Sequence, residues 1–333
     1  MAVENKDRRS TGKLHWIDSA KGIGVLLVIV GHFLYYTDFG VVNRAIYSFH
    51  MPLFFILAGY VQKPRPKPDY IITKLKRLLI PFLLFSVIGI PLFGRDIIRK
   101  GGSVLDVALN CLYVKGAIAN NPLWFLVVLF EVHLMNDVTS LSQKPTRFQA
   151  VVCVVLFVLG GVLYRFRKAP LLVLFGFNRA VLCAGFFTLG LMLKKTPVFD
   201  KTVLLWPSMI AWAAFGVLLN GKVSIYSYEL GNYAFFLIAA VTGSVTLMML
   251  CRRFLDHENR VARLSGYSIV FLGSQYFLRY AFKKGCGRLG ITGTWKADIV
   301  MAALIAAYVI LLPLVYDSLK KRIPQIRYLN GEL

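Results

Sequence analysis

The first apolar block of the chain reads WIDSAKGIGVLLVIVGHF, residues 16–33. It is long enough to cross a ~30 Å hydrocarbon core as one helix. It nevertheless carries three ionisable side chains, which are Asp18, Lys21 and His32. Ionisable groups inside a membrane helix are costly and usually mark function. The block therefore predicts a membrane helix and a functional site built on it.

Further apolar blocks follow along the chain, separated by short basic or Pro/Gly-rich stretches. Including the first, they lie at about 17–36, 44–62, 76–94, 122–140, 149–164, 178–194, 203–219, 231–251, 265–282 and 297–316. The 333 residues are 57% hydrophobic, whereas soluble domains are about 45–50% apolar. We therefore predict one all-α, polytopic membrane domain over residues 1–333 with about ten transmembrane helices.

The net charge of +23 is concentrated at the ends of the apolar blocks. That distribution is typical of membrane orientation and contact with anionic lipids, and no aromatic and basic nucleic-acid module is present in the sequence. Most of the Lys and Arg residues fall on one side if both termini are cytoplasmic. We therefore expect cytoplasmic tails at 1–16 and 317–333, membrane lipids as partners, and no nucleic acid.

The longest connection between blocks covers about residues 95–121. Its apolar part, 104–114, is too short to span a bilayer, so it predicts an interfacial or re-entrant helix on the outer side. Long loops of this kind often cover a site.

Lys21 and His32 are eleven residues apart, which is about three helical turns. They share one helix face and lie roughly 16 Å apart along the axis. Asp18 and Lys21 are i,i+3 neighbours that can pair. Two simpler interpretations remain open, in which Lys21 only reaches the interface and His32 only bonds to a neighbouring helix.

The second block contains SFHMPLFFILAGY, residues 48–60. A short connection makes it antiparallel to the first, so His50 and His32 are expected at similar depth on adjacent helices. Pro52 frees a backbone carbonyl nearby, which can bend the helix or accept a hydrogen bond. The alternative is that His50 and Pro52 satisfy only local backbone needs.

Lys74 and Arg77 share a helix face at the cytoplasmic end of the third block. Two such cations suit phosphate groups, although ordinary positive-inside anchoring explains them equally well.

Trp124 and Glu131 lie in the fourth block. Trp124 fits an outer aromatic belt as well as a site. Glu131 is expected in mid-membrane, where a carboxylate needs a partner. It can hold an imidazole in a useful tautomer, or it can pair with a structural residue such as Arg179.

Four pieces of the sequence resemble membrane acyltransferase family 3, and they occur in the family's order. They are DSAKGIG…GHF with Lys21 and His32, SFHMPLFFILAGY, KLKRLLIP and PLWFL, and together they cover about the first 130 residues. The DxxKG and FHMPLFF patterns look closest to the fucose or N-acetylglucosamine O-acetylase branch. The chain departs from many relatives at Lys21 and Lys74, where they have Arg, and at Gln275, about where they have His.

The resemblance implies transfer of an acyl group, with acetyl-CoA as donor, to a hydroxyl of a sugar, polysaccharide or lipid-linked glycan in a bacterial cytoplasmic membrane. No metal is implied. His32 is then the catalytic base or a transient acyl acceptor, with His50 and Glu131 assisting. The residues expected to bind the donor are Lys21, Lys74 and Arg77, and those expected to support the site are Asp18 and Trp124. The competing class is a transporter or flippase, which shares the helix count and the buried ionisable residues.

Overall fold

The computed structural model of the chain describes residues 14–34, 40–63, 69–113, 120–167 and 174–333. Across these residues the regular structure is helical, together with one isolated antiparallel bridge between Ser224 and Glu229. The all-α class predicted from the apolar blocks is confirmed.

The helices are named here in chain order. They are α1 (His15–Leu34), α2 (Gly40–Tyr47), α3 (His50–Val61), α4 (Tyr70–Gly89), α5 (Arg95–Arg99), α6 (Val104–Cys111), α7 (Trp124–Val138), α8 (Thr146–Arg165), α9 (Phe177–Leu193), α10 (Leu205–Trp212), α11 (Tyr233–Phe254), α12 (Arg260–Leu264), α13 (Ser268–Arg288) and α14 (Trp295–Arg322). π-helical turns extend α4 at Ile90–Gly94 and α10 at Ala213–Leu218, and a 3₁₀ helix follows α14 at Pro324–Asn330.

A helix lies at each of the ten predicted positions, but not all of them have the length and composition of a membrane span. Six described stretches do, and they are His15–Leu34, Gly40–Val61, Tyr70–Leu92, Thr146–Arg165, Tyr233–Phe254 and Trp295–Arg322. Phe177–Leu193 and Thr202–Leu218 are apolar but shorter. The other two helices, α7 and α13, carry polar side chains such as Glu131 and Gln275. The structure thus supports six to eight spans, and ten stays a prediction.

The predicted terminal tails and the long connection have different outcomes. Helix α6 lies within the predicted 104–114 segment, whose last residue belongs to the undescribed 114–119. Of the predicted tail 1–16, residues 1–13 lie outside the described residues. The predicted tail 317–333 is folded, because α14 continues to Arg322 and the next helix packs against α4.

The centre of the bundle is a close crossing of α3 and α9. Gly59 and Gly190 face each other there: a Cβ at Gly59 would meet the Phe187 carbonyl oxygen, and a Cβ at Gly190 would meet that of Ile56. Small residues allow helix backbones to approach this closely in membrane bundles. Nearly every residue of α9 is buried as a result.

Helices α8 and α14 lie at the edge of the bundle. Val151, Val154 and Val158 on α8 and Ile310 and Leu314 on α14 are exposed. Apolar side chains on the outer surface of a membrane bundle face lipid tails, so this exposure needs no protein partner.

Helix α1 defines the two ends of the site. Its first half carries Lys21 and its last turn carries His32, and eleven residues of helix separate them by roughly 16 Å. These are called the Lys21 end and the His32 end below.

Candidate active site

A cleft opens at the His32 end of α1. It is lined by Val28, His32, Tyr47, His50, Met51, Pro122, Trp124, Ser224, Ile225, Tyr226 and Leu272. Helices α1, α2, α3, α7 and α13 contribute to it, as does the loop 219–232. The cleft brings together three residues singled out in the sequence, His32, His50 and Trp124.

His32 is half-buried, and its Nδ1 lies 3.2 Å from Oε1 of Gln275 on α13. The guanidinium of Arg279 on the same helix is within electrostatic range of this imidazole. Because Gln275 lies 243 positions away in the chain, no local pattern in the sequence could identify it as the partner of His32.

His50 is buried in the first turn of α3, and its Nδ1 lies 2.8 Å from the Ile46 carbonyl oxygen. A carbonyl oxygen only accepts hydrogen bonds, so Nδ1 carries the proton and Nε2 keeps its lone pair. The Tyr47 ring packs edge-on between the two imidazoles, with centroid distances of 6.4 Å to His32 and 4.9 Å to His50. The two histidines and this tyrosine form one aromatic cluster.

The position of His50 depends on a break in the second apolar block. The block is two helices, because the chain turns at Ser48 and Phe49. The Ser48 hydroxyl donates to the Ala45 carbonyl and accepts from the indole N–H of Trp212. Pro52 falls in the first turn of α3, where its missing N–H removes no intrahelical bond. The predicted bend therefore lies before Pro52, and it sets the direction of the His50 side chain.

Trp124 and the loop 219–232 form the opposite wall. Trp124, at the start of α7, is 5% exposed within the described structure, so it contacts protein more than lipid. The loop contributes Ser224, Ile225 and Tyr226. The wall thus combines the aromatic rings of Trp124 and Tyr226 with the hydroxyls of Ser224 and Tyr226.

Arg179 holds this loop in place from α9. Its guanidinium donates to the Ile225 carbonyl oxygen at 3.3 Å and to the Tyr113 hydroxyl at 2.8 Å. It also lies over the Tyr226 ring, 5.7 Å from the centroid. The Tyr228 hydroxyl, which donates to the Gly160 carbonyl, ties the loop to α8.

Glu131 lies outside the cleft lining. Its side chain is half-buried and within electrostatic range of Arg179, and its buried Oε2 has no hydrogen-bond partner among the described residues. The sequence left two roles open, orientation of an imidazole and partnership with Arg179. The geometry favours the second, because Gln275 and the Ile46 carbonyl are the partners of the two cleft imidazoles.

Positive charge collects at the Lys21 end. Lys74 on α4 is within electrostatic range of both Lys21 and Arg77, and Asp18 is within range of Lys21. The Lys74 ammonium also lies 5.5 Å from the centroid of the Tyr70 ring. Like charges held this close favour an anion between them.

The Tyr70 hydroxyl belongs to a buried polar network beside these cations. It lies 2.7 Å from Oε1 of Gln62 and 2.7 Å from Nδ1 of His133. Neither Tyr70 nor Gln62 was singled out in the sequence, because interactions between separate helices leave no local pattern.

Three polar or aromatic residues of the cleft lining were not singled out in the sequence, and they are Tyr47, Ser224 and Tyr226. Tyr47 immediately precedes the quoted SFHMPLFF motif, and that proximity was the one available signal. The loop 219–232 has no motif of its own, and long-range hydrogen bonds that involve Arg179, Tyr228 and Tyr164 help to hold it over the cleft.

Residues 14–317 match a family model described as an acyltransferase domain, that of acyltransferase family 3. The match includes both ends of α1, the loop 219–232 and Gln275. Neither the curated proteins nor the solved structures give a match to this chain. Because the family match covers most of its length, the chain belongs to acyltransferase family 3, and it is a membrane acyltransferase that takes an acyl donor and an acceptor.

Proposed function

We propose that this enzyme transfers an acetyl group from acetyl-CoA to a hydroxyl of a sugar in a polysaccharide or lipid-linked glycan. The observation that carries the proposal is the pair of imidazoles in one cleft, His32 and His50, both held through Nδ1. A neutral imidazole with a free Nε2 is suited to take a proton from a hydroxyl.

The donor is expected at the Lys21 end. Lys74 is within electrostatic range of both Lys21 and Arg77. These three cations suit the phosphate groups of CoA. Asp18 positions Lys21. The roughly 16 Å to His32 along α1 matches a long, flexible donor whose thioester reacts far from its charged part.

The acceptor is expected in the cleft at the His32 end. Trp124, Tyr47 and Tyr226 offer aromatic ring surfaces, and Ser224 offers a hydroxyl. Apolar rings with a few polar groups are typical of small-ligand sites, and they suit the C–H faces and hydroxyl edges of a sugar ring. Glu131 contributes indirectly, through Arg179 and the loop that carries Tyr226.

In the direct route, Nε2 of His32 takes the proton of the acceptor hydroxyl while its oxygen attacks the thioester carbonyl carbon. The new C–O bond forms, the C–S bond breaks, and the imidazolium returns the proton to the departing thiolate. In the second route, Nε2 first takes the acetyl group and CoA leaves as the thiolate. The acetyl group then passes to the hydroxyl, whose proton ends on the thiolate. His50 assists either route by a hydrogen bond to the reacting groups.

The proposed topology follows from charge. With both termini in the cytoplasm, the Lys21 end faces the cytoplasm, where acetyl-CoA is made, and the cleft faces the outer side. This arrangement suits a bacterial cytoplasmic membrane whose glycans are modified on the outer face.

The test uses purified protein in vesicles with radiolabelled acetyl-CoA and glycan acceptors. His32→Asn preserves a donor in the position of Nδ1 and removes Nε2, and we expect transfer to fall by about 10²-fold or more. His257→Asn, at an exposed histidine, is the control and should match the wild type. Normal transfer by a correctly inserted His32→Asn protein would refute the assignment. Glycan movement without acetyl-CoA and without label in the glycan would instead support a transporter.

A further inference from the structure

Gln275 is a buried amide in the middle of α13, 1% exposed. Its Oε1 lies 3.2 Å from His32 Nδ1, and its Nε2 donates to the Leu272 carbonyl oxygen at 3.3 Å. A buried amide in a membrane bundle needs partners for both ends, and here both ends have one.

The Leu272 carbonyl decides which way the amide faces. With the amide reversed, Gln275 Oε1 would face the Leu272 oxygen, and two acceptors would oppose each other. The observed orientation therefore directs Oε1 at His32. Because an amide oxygen only accepts, Nδ1 of His32 must carry the hydrogen. A neutral imidazole has one N–H, so the lone pair is on Nε2.

We propose that Gln275 is a positioning residue that fixes His32 in the Nδ1–H tautomer and leaves Nε2 as the proton acceptor. The tautomer part stands on geometry alone, and its effect on rate rests on the proposed function. The Ile46 carbonyl does the same for His50, so both imidazoles keep an unprotonated Nε2. Gln275 is neutral, so it sets the tautomer without adding charge near the Arg279 guanidinium.

The surroundings of Gln275 keep α13 in place beside His32. Asn120 donates through Nδ2 to the Gly273 carbonyl oxygen at 3.0 Å. The Tyr308 hydroxyl on α14 donates to the Phe271 carbonyl oxygen at 3.1 Å and lies 2.7 Å from the Ser274 hydroxyl. The turn of α13 that precedes Gln275 is thus held by two neighbouring segments, as a positioning role requires.

The first arm of the test reads the tautomer directly. Nitrogen NMR of ring-labelled histidine in lipid vesicles distinguishes Nδ1–H from Nε2–H, and His32→Asn identifies which of the five histidine signals belongs to His32. We expect Nδ1–H in the wild type, and Gln275→Leu, which has no acceptor, should lose that preference. Gln275→Glu keeps an acceptor oxygen for Nδ1, and its protonated form also keeps a donor for the Leu272 carbonyl oxygen, so this variant should retain the preference. An Nε2–H tautomer in the wild type, or an unchanged signal in Gln275→Leu, would overturn the proposal.

The second arm reads the rate of acetyl transfer. We expect Gln275→Leu to lower kcat by about 10–100-fold, less than loss of a general base itself, which costs about 10²–10⁴-fold, with KM for acetyl-CoA nearly unchanged. Gln275→Glu should recover most of the rate. Gln149→Leu is the control, since Gln149 is also fully buried and bonded but lies on α8 outside the cleft. A Gln275→Leu protein that loses the tautomer but keeps kcat would overturn the catalytic consequence. If the tautomer behaves as expected while wild-type protein transfers no acyl group, the proposed function fails and the positioning by Gln275 stands.

Discussion

The two ends of α1 satisfy their polar groups in opposite ways. At the His32 end each imidazole meets a neutral acceptor, Gln275 Oε1 or the Ile46 carbonyl, and the walls are largely aromatic. At the Lys21 end the ammonium of Lys74 lies near two further cations, Lys21 and Arg77. A neutral, oriented base is prepared for proton transfer, whereas repelling cations are stabilised by a bound anion. The difference predicts that changes at one end alter kcat and changes at the other alter donor binding.

We expect the largest effect from substitutions at the crossing of α3 and α9, because the positions of both the Lys21 end and the His32 end depend on it. Gly59→Val or Gly190→Val places side-chain atoms against a backbone carbonyl of the facing helix, so the two helices would have to move apart. Overpacking in a core costs about 1–3 kcal/mol or more, and contact with a backbone belongs at the upper end. We expect loss of folded protein, measured by size-exclusion homogeneity and thermal stability in detergent.

The matched control for this change is Gly221→Ala. A Cβ at Gly221 meets no atom within 4 Å, so the variant should behave as the wild type. Stable, active Gly59→Val protein would show that the α3–α9 crossing does not hold the two ends together.

His50 tests the His32 end separately. His50→Asn keeps a donor for the Ile46 carbonyl but removes Nε2, whereas His50→Gln places an amide nearer the former Nε2. We expect kcat to fall by about 10–100-fold in His50→Asn and less in His50→Gln, with KM for acetyl-CoA within about twofold of the wild type. Steady-state kinetics in vesicles provide the measurement. A rise in KM for acetyl-CoA at constant kcat would contradict the separation of the two ends.

Lys74 and Arg77 test the Lys21 end. Lys74→Gln and Arg77→Gln each remove one charge, and we expect KM for acetyl-CoA to rise by about 5–30-fold, as for a charge-assisted contact of roughly 1–2 kcal/mol, with kcat little changed. Lys76→Gln is the control, because Lys76 is an exposed neighbour on the same helix. The effect should vanish with an acetyl thioester of pantetheine, which has no phosphate groups. Equal losses with both donors would mean that these cations do not bind phosphate.

The sequence contained enough information to predict the fold class and the relation of the two histidines. Apolar blocks report membrane helices directly, and a short connection forces adjacent helices to run antiparallel, so His32 and His50 could be placed at one depth. Gln275 and Tyr226 could not be found in this way, because helix α13 and the loop 219–232 reach the cleft only through packing. The same limit explains why the sequence left two interpretations of Glu131 open. Only the structure shows that its carboxylate is within electrostatic range of Arg179.

The smallest effect is expected from Glu332 in the C-terminal segment, which packs beside Arg77. Burial alone would raise the pKa of Glu332, but hydrogen bonds from Lys320, Asn330 and Tyr316 hold that pKa below its usual value. Its stabilisation is therefore present above the ordinary pKa of about 4.3 and is lost as the pH falls through the lower folded value.

The pH dependence of this stabilisation can be measured by amide hydrogen exchange of residues 324–333, corrected for the intrinsic exchange rates at each pH. We expect Glu332→Gln to lower protection of this segment at pH 7, and the difference from the wild type should disappear at acidic pH. Glu229→Gln, at an exposed carboxylate in the loop 219–232, should leave the segment unchanged. Gly331 of this segment lies against the Arg77 carbonyl oxygen. A large rise in the KM for acetyl-CoA in Glu332→Gln would therefore mean that the segment positions the cations of the Lys21 end. An unchanged KM would mean that the cations on α1 and α4 suffice for donor binding.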